Sequence, residues 1–184
     1  MNAEDQRMMS ILYAPAGYTH ASRLPKMFRA GERQDDTLLN FWLLRQSKLC
    51  DLPDTWQPGD ATLSRLLSHW QQIPAAAHLI GGYLLRSRLL KQSAVLMSDP
   101  RLLAFISLPL LHQVHIDHKH TGLDTASCGA AFILGQFPGL PAALRERLLL
   151  LFPAEMKLAK ISAPKTPNNI NLLRMALTYA HNYD

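Results

Sequence analysis

The chain has 184 residues, which is long enough for one domain with a sizeable core, and 48% of them are hydrophobic, as in ordinary globular proteins. Only 18% are charged, and the net charge is +5. The basic residues are scattered without a polybasic run, so an acidic protein is as plausible a partner as nucleic acid. Cys50 and Cys128 lie far apart in apolar contexts, which favours two core thiols over a disulfide and is consistent with a reducing cytosol.

The N-terminal part of the chain carries few regular patterns. Residues 1–34 are interrupted by Pro and Gly and are predicted to be an irregular segment that packs on the core. A first helix is predicted at 37–49. Its mostly apolar stripe consists of Leu38, Leu39, Trp42, Gln46 and Leu49.

Two further helices are predicted on either side of a Trp-to-Pro segment, and together they form a core helical hairpin. Asp60 caps the second helix, whose one-face i, i+3, i+4, i+7 pattern comprises Leu63, Leu66, Leu67 and Trp70. Pro74 suits the first turn of the third helix, predicted at 74–92 with Ala77, Ile80, Tyr83 and Leu84 inward. Gly81 and Gly82 each cost about 1 kcal/mol relative to Ala in a helix, which predicts that another segment crosses there closely.

The second half of the chain predicts short helices separated by Pro. Asp99-Pro100 begins one, Thr125 caps a helix of small residues at 126–136, and the last helix spans 168–182. Another short helix is marked by Leu144, Leu148 and Leu151. The fold class is therefore mainly α: a single compact, irregular helical domain over 1–184 with a minor short β element near 113–118.

A group of histidines is the one cluster whose chemistry suggests a metal. Zinc binds neutral imidazole, and three histidines can hold it. No single helix or strand presents all four histidines of this group, however, and no Cys or Glu lies close by. A solvated, pH-sensitive loop is therefore the better interpretation. No metal site is assigned, and a metal-binding enzyme or sensor is kept as the alternative function. The cluster comprises His112, His115, His118 and His120.

No motif for catalysis is found. The sequence has no hydrolase elbow, no phosphate-cradling loop and no CxxC pair. Ser127-Cys128-Gly129 lacks a base placed by any motif, which favours packing over a nucleophile. No catalytic residue is therefore assigned.

Four segments in order resemble a known family. An aromatic and a Pro precede Tyr18, His20 and Arg23-Leu24 in residues 13–24, and a central block runs from Trp70 to Pro74 and on to Gly81. A Leu-rich segment ends in Phe152-Pro153, and an Ala-Leu-x-Tyr-Ala tail spans 176–180. Together they resemble the SctK family of type III secretion systems, and more closely its OrgA/MxiK branch. Ala14 departs from the family pattern, which has a polar residue there, and so does the His-rich 112–120 segment.

The resemblance implies a mostly helical cytoplasmic adaptor of the sorting platform, at the cytosolic face of the inner membrane. There the family's protein links the cytoplasmic domain of the ring protein SctD to the pod protein SctQ, and indirectly to the SctL stator and SctN ATPase. It implies no catalysis, no cofactor and no nucleic acid, and contact with the membrane only through partners. The acidic N-terminus lacks an apolar stretch, so it is not a secretory signal, and the apolar run at 102–111 is too short to span a bilayer.

Two groups of residues carry these expectations. The candidates for partner contact are His20 and Arg23, whose polar tips in the irregular segment suit either docking or internal packing. The densest basic group, Arg86, Arg88 and Lys91, is a further candidate for an acidic partner, although a solvated helix end is the commoner role for such a group. The structural motif residues are expected to support the fold: Tyr18, Trp70, Pro74, Leu79, Gly81 and Tyr179.

Overall fold

The computed structural model describes residues 3–26, 36–53, 55–91, 98–109 and 124–182. Within these ranges the chain forms nine α-helices and no strand, so the predicted mainly α class is confirmed. The helices are α1 (Ala3–Tyr13), α2 (Asp36–Gln46), α3 (Ala61–Ser68), α4 (Ile73–Leu84), α5 (Arg86–Leu89), α6 (Pro100–Ile106), α7 (Thr125–Gln136), α8 (Ala142–Leu150) and α9 (Pro167–Asn182). Short 3-10 turns form at Pro15–Gly17, Ala21–Arg23 and Trp70–Gln72.

The chain divides into two compact units, each with its own buried apolar residues. The first unit comprises residues 1–71 and 139–156 and contains α1, α2, α3 and α8. The second comprises residues 72–138 and 157–184 and contains α4 to α7 and α9. The single domain expected over 1–184 stays a prediction.

The N-terminal segment is more regular than the sequence suggested. The prediction that residues 1–34 are irregular is wrong for Ala3–Tyr13, which form α1. Glu4 and Asp5 in its first turn suit the positive end of the helix dipole. Because α1 buries only Ile11 and Leu12, it has no long apolar stripe that periodicity could reveal.

In the first unit, α1 packs against α3 and α8, while α2 lies on the Pro15–Gly17 turn. The cap at Asp60 is confirmed, since its carboxylate accepts hydrogen bonds from two N–H groups of α3. The inward face of α3 is confirmed as well. Its buried residues are Leu63, Leu66, Leu67 and, in the following turn, Trp70.

Helix α2 buries Leu39 of the predicted stripe, but its inward face is shifted toward Leu43. Leu39 and Leu43 are buried, whereas Leu38 is 60% exposed. A helix that is apolar on nearly all sides has more than one possible stripe, so the pattern alone could not identify the buried one.

Helix α4 lies at the centre of the second unit and packs against α6, α7 and α9. The close crossing predicted at the glycine pair is confirmed. A Cβ atom on Gly81 would lie 1.8 Å from the carbonyl oxygen of Thr125 in α7. The contact is reciprocal, because a Cβ atom on Gly129 of α7 would lie 1.7 Å from the carbonyl oxygen of Ala77 in α4. The two backbones touch where a side chain would normally separate them.

The predicted boundaries of two helices need correction. The helix expected at 74–92 ends at Leu84, because Leu85 (φ −94°, ψ 6°) leaves the α region before the short α5 begins. Leu85 and Leu89 are both buried, so the apolar pattern continues through the break and conceals it. The cap of α7 is Asp124, whose carboxylate accepts from Ser127 N–H, and not Thr125. The cap at Asp99 is confirmed by its bond from Leu102 N–H, 2.9 Å.

Two sequence predictions cannot be compared with this fold. The short strand near 113–118 and the His112–His120 cluster lie outside the described residues. The helices of the predicted hairpin, α3 and α4, belong to different compact units.

Candidate partner-binding site

His20 caps the 3-10 turn Ala21–Arg23 in the first unit. Its ring Nδ1 accepts from Ser22 N–H at 3.2 Å and lies 2.9 Å from the Ser22 hydroxyl oxygen. Its backbone N–H donates to the carbonyl oxygen of Leu150 at 2.8 Å. His20 therefore anchors the N-terminal segment to the end of α8.

The side chain of Arg23 reaches the same region. Its Nε donates to the carbonyl oxygen of Phe152 at 2.6 Å, and Nη2 donates to that of Pro153 at 3.3 Å. Burial lowers the pKa of Arg23, which the nearby charge of Glu155 partly opposes. The Arg-Leu and Phe-Pro segments, distant in sequence, thus meet through Arg23.

Tyr18 and Trp70 join two other motif segments. Their rings meet edge to face with centroids 5.8 Å apart and an interplanar angle of 81°. The Tyr18 hydroxyl donates to the carbonyl oxygen of Ile11 at 2.6 Å. Burial raises the pKa of that phenol, although the charge of Arg147 acts in the opposite direction. Tyr18 consequently ties α1 to the 3-10 turn at Trp70.

The remaining motif residues lie in the second unit. Pro74 is half-buried in the first turn of α4, and Leu79 is buried one turn further on. Tyr179 on α9 meets Phe105 on α6 edge to face, with centroids 5.4 Å apart. Leu79 and Tyr179 both line a small cavity of about 140 Å³.

The predicted basic group sits on and just after the short helix α5 of the second unit. The Arg86 guanidinium lies 4.2 Å from the centre of the Tyr83 ring, a cation–π contact. Arg86 and Arg88 are half-buried, and Lys91 is exposed. Lys91 is therefore the predicted contact residue whose side chain is most exposed.

A polar cluster that the sequence did not reveal joins three helices of the second unit. His78 on α4 places Nε2 2.7 Å from Oδ2 of Asp99 and Nδ1 2.6 Å from the Thr125 hydroxyl oxygen. Burial acts to raise the pKa of Asp99, but hydrogen bonds from Leu102 N–H and His78 outweigh it, so that pKa is lowered. No motif places these residues together, because each comes from a different helix. The cluster ties the N-terminal ends of α6 and α7 to α4.

The two cysteines are free and differ in exposure. Cys128 is fully buried, and burial raises the pKa of its thiol to about 11, so it is neutral near pH 7 and a poor nucleophile. The expectation of a core thiol is wrong for Cys50, which is exposed beside Glu146. The carboxylate of Glu146 raises the pKa of Cys50. The backbone N–H of Cys50 also donates to the Glu146 carboxylate, at 3.0 Å.

The outer face of α2 exposes large apolar side chains. Leu38 is 60% and Phe41 57% exposed, and with Arg45 they follow the i, i+3, i+7 spacing of one helix face. The Arg45 guanidinium lies 5.2 Å from the centre of the Phe41 ring. We call Leu38, Phe41 and Arg45 the α2 outer face. The sequence analysis missed it because it placed Leu38 in the core.

A family model for a bacterial type III secretion apparatus protein, OrgA/MxiK, matches residues 8–182 of the chain. The chain belongs to the OrgA/MxiK family. This membership gives it a role in type III protein secretion, since the family is one of secretion apparatus proteins.

Curated relatives of this OrgA/MxiK chain come from Salmonella typhimurium. The oxygen-regulated invasion protein OrgA of three strains is 27% identical to it over 186 residues, covering 94% of this chain and 86% of the relative. No solved structure matches the chain. Among the described residues, no helix combines the length and the apolar character needed to cross a membrane.

Proposed function

We propose that this OrgA/MxiK chain is a non-enzymatic adaptor of a sorting platform at the cytosolic face of the bacterial inner membrane. It links the cytoplasmic domain of an SctD-like ring protein to an SctQ-like pod protein, and through the pod reaches the SctL stator and the SctN ATPase. The family match over residues 8–182 carries the proposal, because it includes nearly all of both compact units.

The division into two units supports an adaptor role. Each unit buries its own set of large apolar side chains, including Phe152 in the first and Phe132 in the second. An adaptor needs a separate contact surface for each of its two partners, and two compact units can provide them. We propose that Arg86, Arg88 and Lys91 contribute one such surface, toward an acidic partner.

His20 and Arg23 remain contact candidates within this proposal, although their hydrogen bonds lie within the first unit. Partner contact and internal support give different results on substitution. A contact residue changes affinity without changing the unfolding free energy, whereas a supporting residue changes the unfolding free energy first.

The test is a three-component binding experiment with purified proteins. The ring protein's cytoplasmic domain is immobilised, and retention of the pod protein is measured with and without the full chain. The proposal predicts that the pod protein is retained only when the chain is present. If the pod protein binds the ring domain equally without the chain, or the chain binds neither, the adaptor role is refuted.

A further inference from the structure

The α2 outer face has an unusual composition for a solvent-facing helix surface. Helix α2 has the sequence Asp-Thr-Leu-Leu-Asn-Phe-Trp-Leu-Leu-Arg-Gln, and only Leu39 and Leu43 are buried. Helices that are apolar on all sides are normally covered on all sides. Leu38 and Phe41 therefore present an apolar surface that is typical of an interface.

The charge beside this surface indicates what covers it. The Arg45 guanidinium at the C-terminal end of the face lies over the Phe41 ring, and among the described residues it forms no ion pair. Lys48, just beyond the helix, is exposed as well. A partner complementary to this face would bring apolar side chains to Leu38 and Phe41 and a carboxylate to Arg45.

A second copy of this chain is less complementary at this face. The acidic residue of α2 is Asp36, nine positions before Arg45, which places it about 180° round the helix at 3.6 residues per turn. Pairing two copies of the outer face would thus bring two arginines and no α2 carboxylate together.

A lipid surface is also less suitable. Helices that lie on membranes carry many Lys or Arg residues on their polar side. In its eleven residues α2 carries one Arg and one Asp, and Lys48 just beyond it adds a single further charge, far fewer basic residues than such helices carry.

We infer that the α2 outer face docks a partner protein of the secretion apparatus through an apolar patch flanked by a carboxylate. The inference rests on the proposed adaptor function and assigns one of its two contacts to the first unit. Arg with a neighbouring aromatic is a common centre of such interfaces, where a few side chains supply most of the binding energy.

The experiment measures the affinity of the full chain for the pod protein and for the ring protein's cytoplasmic domain, separately. Leu38→Glu combined with Phe41→Glu should weaken one of these complexes about tenfold or more and leave the other unchanged. Leu103→Glu is the matched control, because Leu103 is also an exposed leucine, 38% accessible, but lies in the second unit and outside the proposed basic surface. Since both positions are at the surface, circular dichroism should show unchanged folding. Arg45→Glu should weaken the same complex and reduce its dependence on salt.

Each other outcome contradicts the inference in a distinguishable way. Unchanged affinity for both partners refutes the docking face and leaves the adaptor role intact. If the wild-type chain binds neither partner, the adaptor role falls and the inference with it. If the variant instead converts a dimer to a monomer by light scattering, or loses binding to phosphatidylglycerol vesicles, with both complexes unchanged, the face belongs to a second copy or to lipid.

Discussion

Arg147 lies fully inside the first unit and donates two hydrogen bonds to the carbonyl oxygen of Leu12, from Nε at 3.1 Å and from Nη2 at 2.9 Å. Its Nη1 donates to the carbonyl oxygens of Cys50 and Ala143 at 2.7 and 2.9 Å. Leu12 is in the last turn of α1, where the helix dipole favours a positive charge. One guanidinium thus joins α1, α8 and the loop after α2.

Replacement of Arg147 by Met should destabilise the protein strongly. The substitution keeps most of the buried side-chain volume but leaves carbonyl groups of Leu12 and Cys50 without these donors, at an expected cost of about 2–4 kcal/mol in unfolding free energy. Urea unfolding followed by circular dichroism measures the change. Arg145→Met, on the same helix but only partly buried, is the control and should cost less than about 1 kcal/mol. Equal effects of the two substitutions would contradict this role.

Gly81→Ala and Gly129→Ala should each destabilise the second unit by about 3 kcal/mol or more, since the added methyl group overlaps backbone atoms that cannot rotate away. Gly139→Ala is the control, because its Cβ atom would meet nothing within 4 Å. Thermal unfolding of the three variants compares them directly. Because Gly81 and Gly129 lie at one crossing, the double variant should cost less than the sum of the two single variants. Full additivity would argue against a shared crossing.

Arg23→Ala should lower the unfolding free energy, and its effect on partner affinity decides whether Arg23 is a contact residue. Loss of the bonds to the Phe152 and Pro153 carbonyl oxygens is expected to cost about 1–2 kcal/mol of unfolding free energy. Lys91→Glu provides the contrast, because an exposed charge contributes little to folding. Urea unfolding and binding titrations on both variants separate the two roles. An Arg23→Ala chain with wild-type stability and weakened binding would identify Arg23 as a contact residue instead.

Asp99 should make stability depend on acid pH. Since its pKa is lower in the folded chain than its ordinary value of 3.8, the ionised carboxylate stabilises the fold above that value. This contribution is lost as the pH falls through the lower folded-state pKa. Asp99→Asn retains an oxygen that can cap α6 but removes the charge.

Unfolding free energies measured from about pH 6 to pH 3 should therefore fall more steeply for the wild type than for Asp99→Asn. The exposed residue Asp51, replaced by Asn, serves as the control and should leave the profile close to that of the wild type. Parallel curves for the wild type and Asp99→Asn would show that the hydrogen bonds from Leu102 and His78 do not favour the charged carboxylate.

The sequence predicted those features that depend on neighbours along the chain. The cap at Asp60 and the buried face of α3 follow from spacing alone, and Gly81 indicated a close crossing because Gly is costly in a helix. Helix α1 escaped detection because it buries only Ile11 and Leu12.

The supporting contacts and the candidate docking face depend on residues far apart in sequence. Arg147 meets Leu12 across 135 positions and His78 meets Thr125 across 47, and no local pattern reports such pairings. The exposure of Leu38 was mispredicted for a related reason, since only the packing of α2 on the Pro15–Gly17 turn decides which apolar face is buried.

The adaptor role is tested most directly by the position of the pod protein in cells that assemble this secretion apparatus. A fluorescent pod protein should form foci at the envelope when the chain is present, lose them when its gene is deleted, and regain them when the wild-type chain is restored. Secretion should stop and return in parallel. Envelope foci and secretion that persist after the deletion would contradict the proposal that this chain links the pod to the ring.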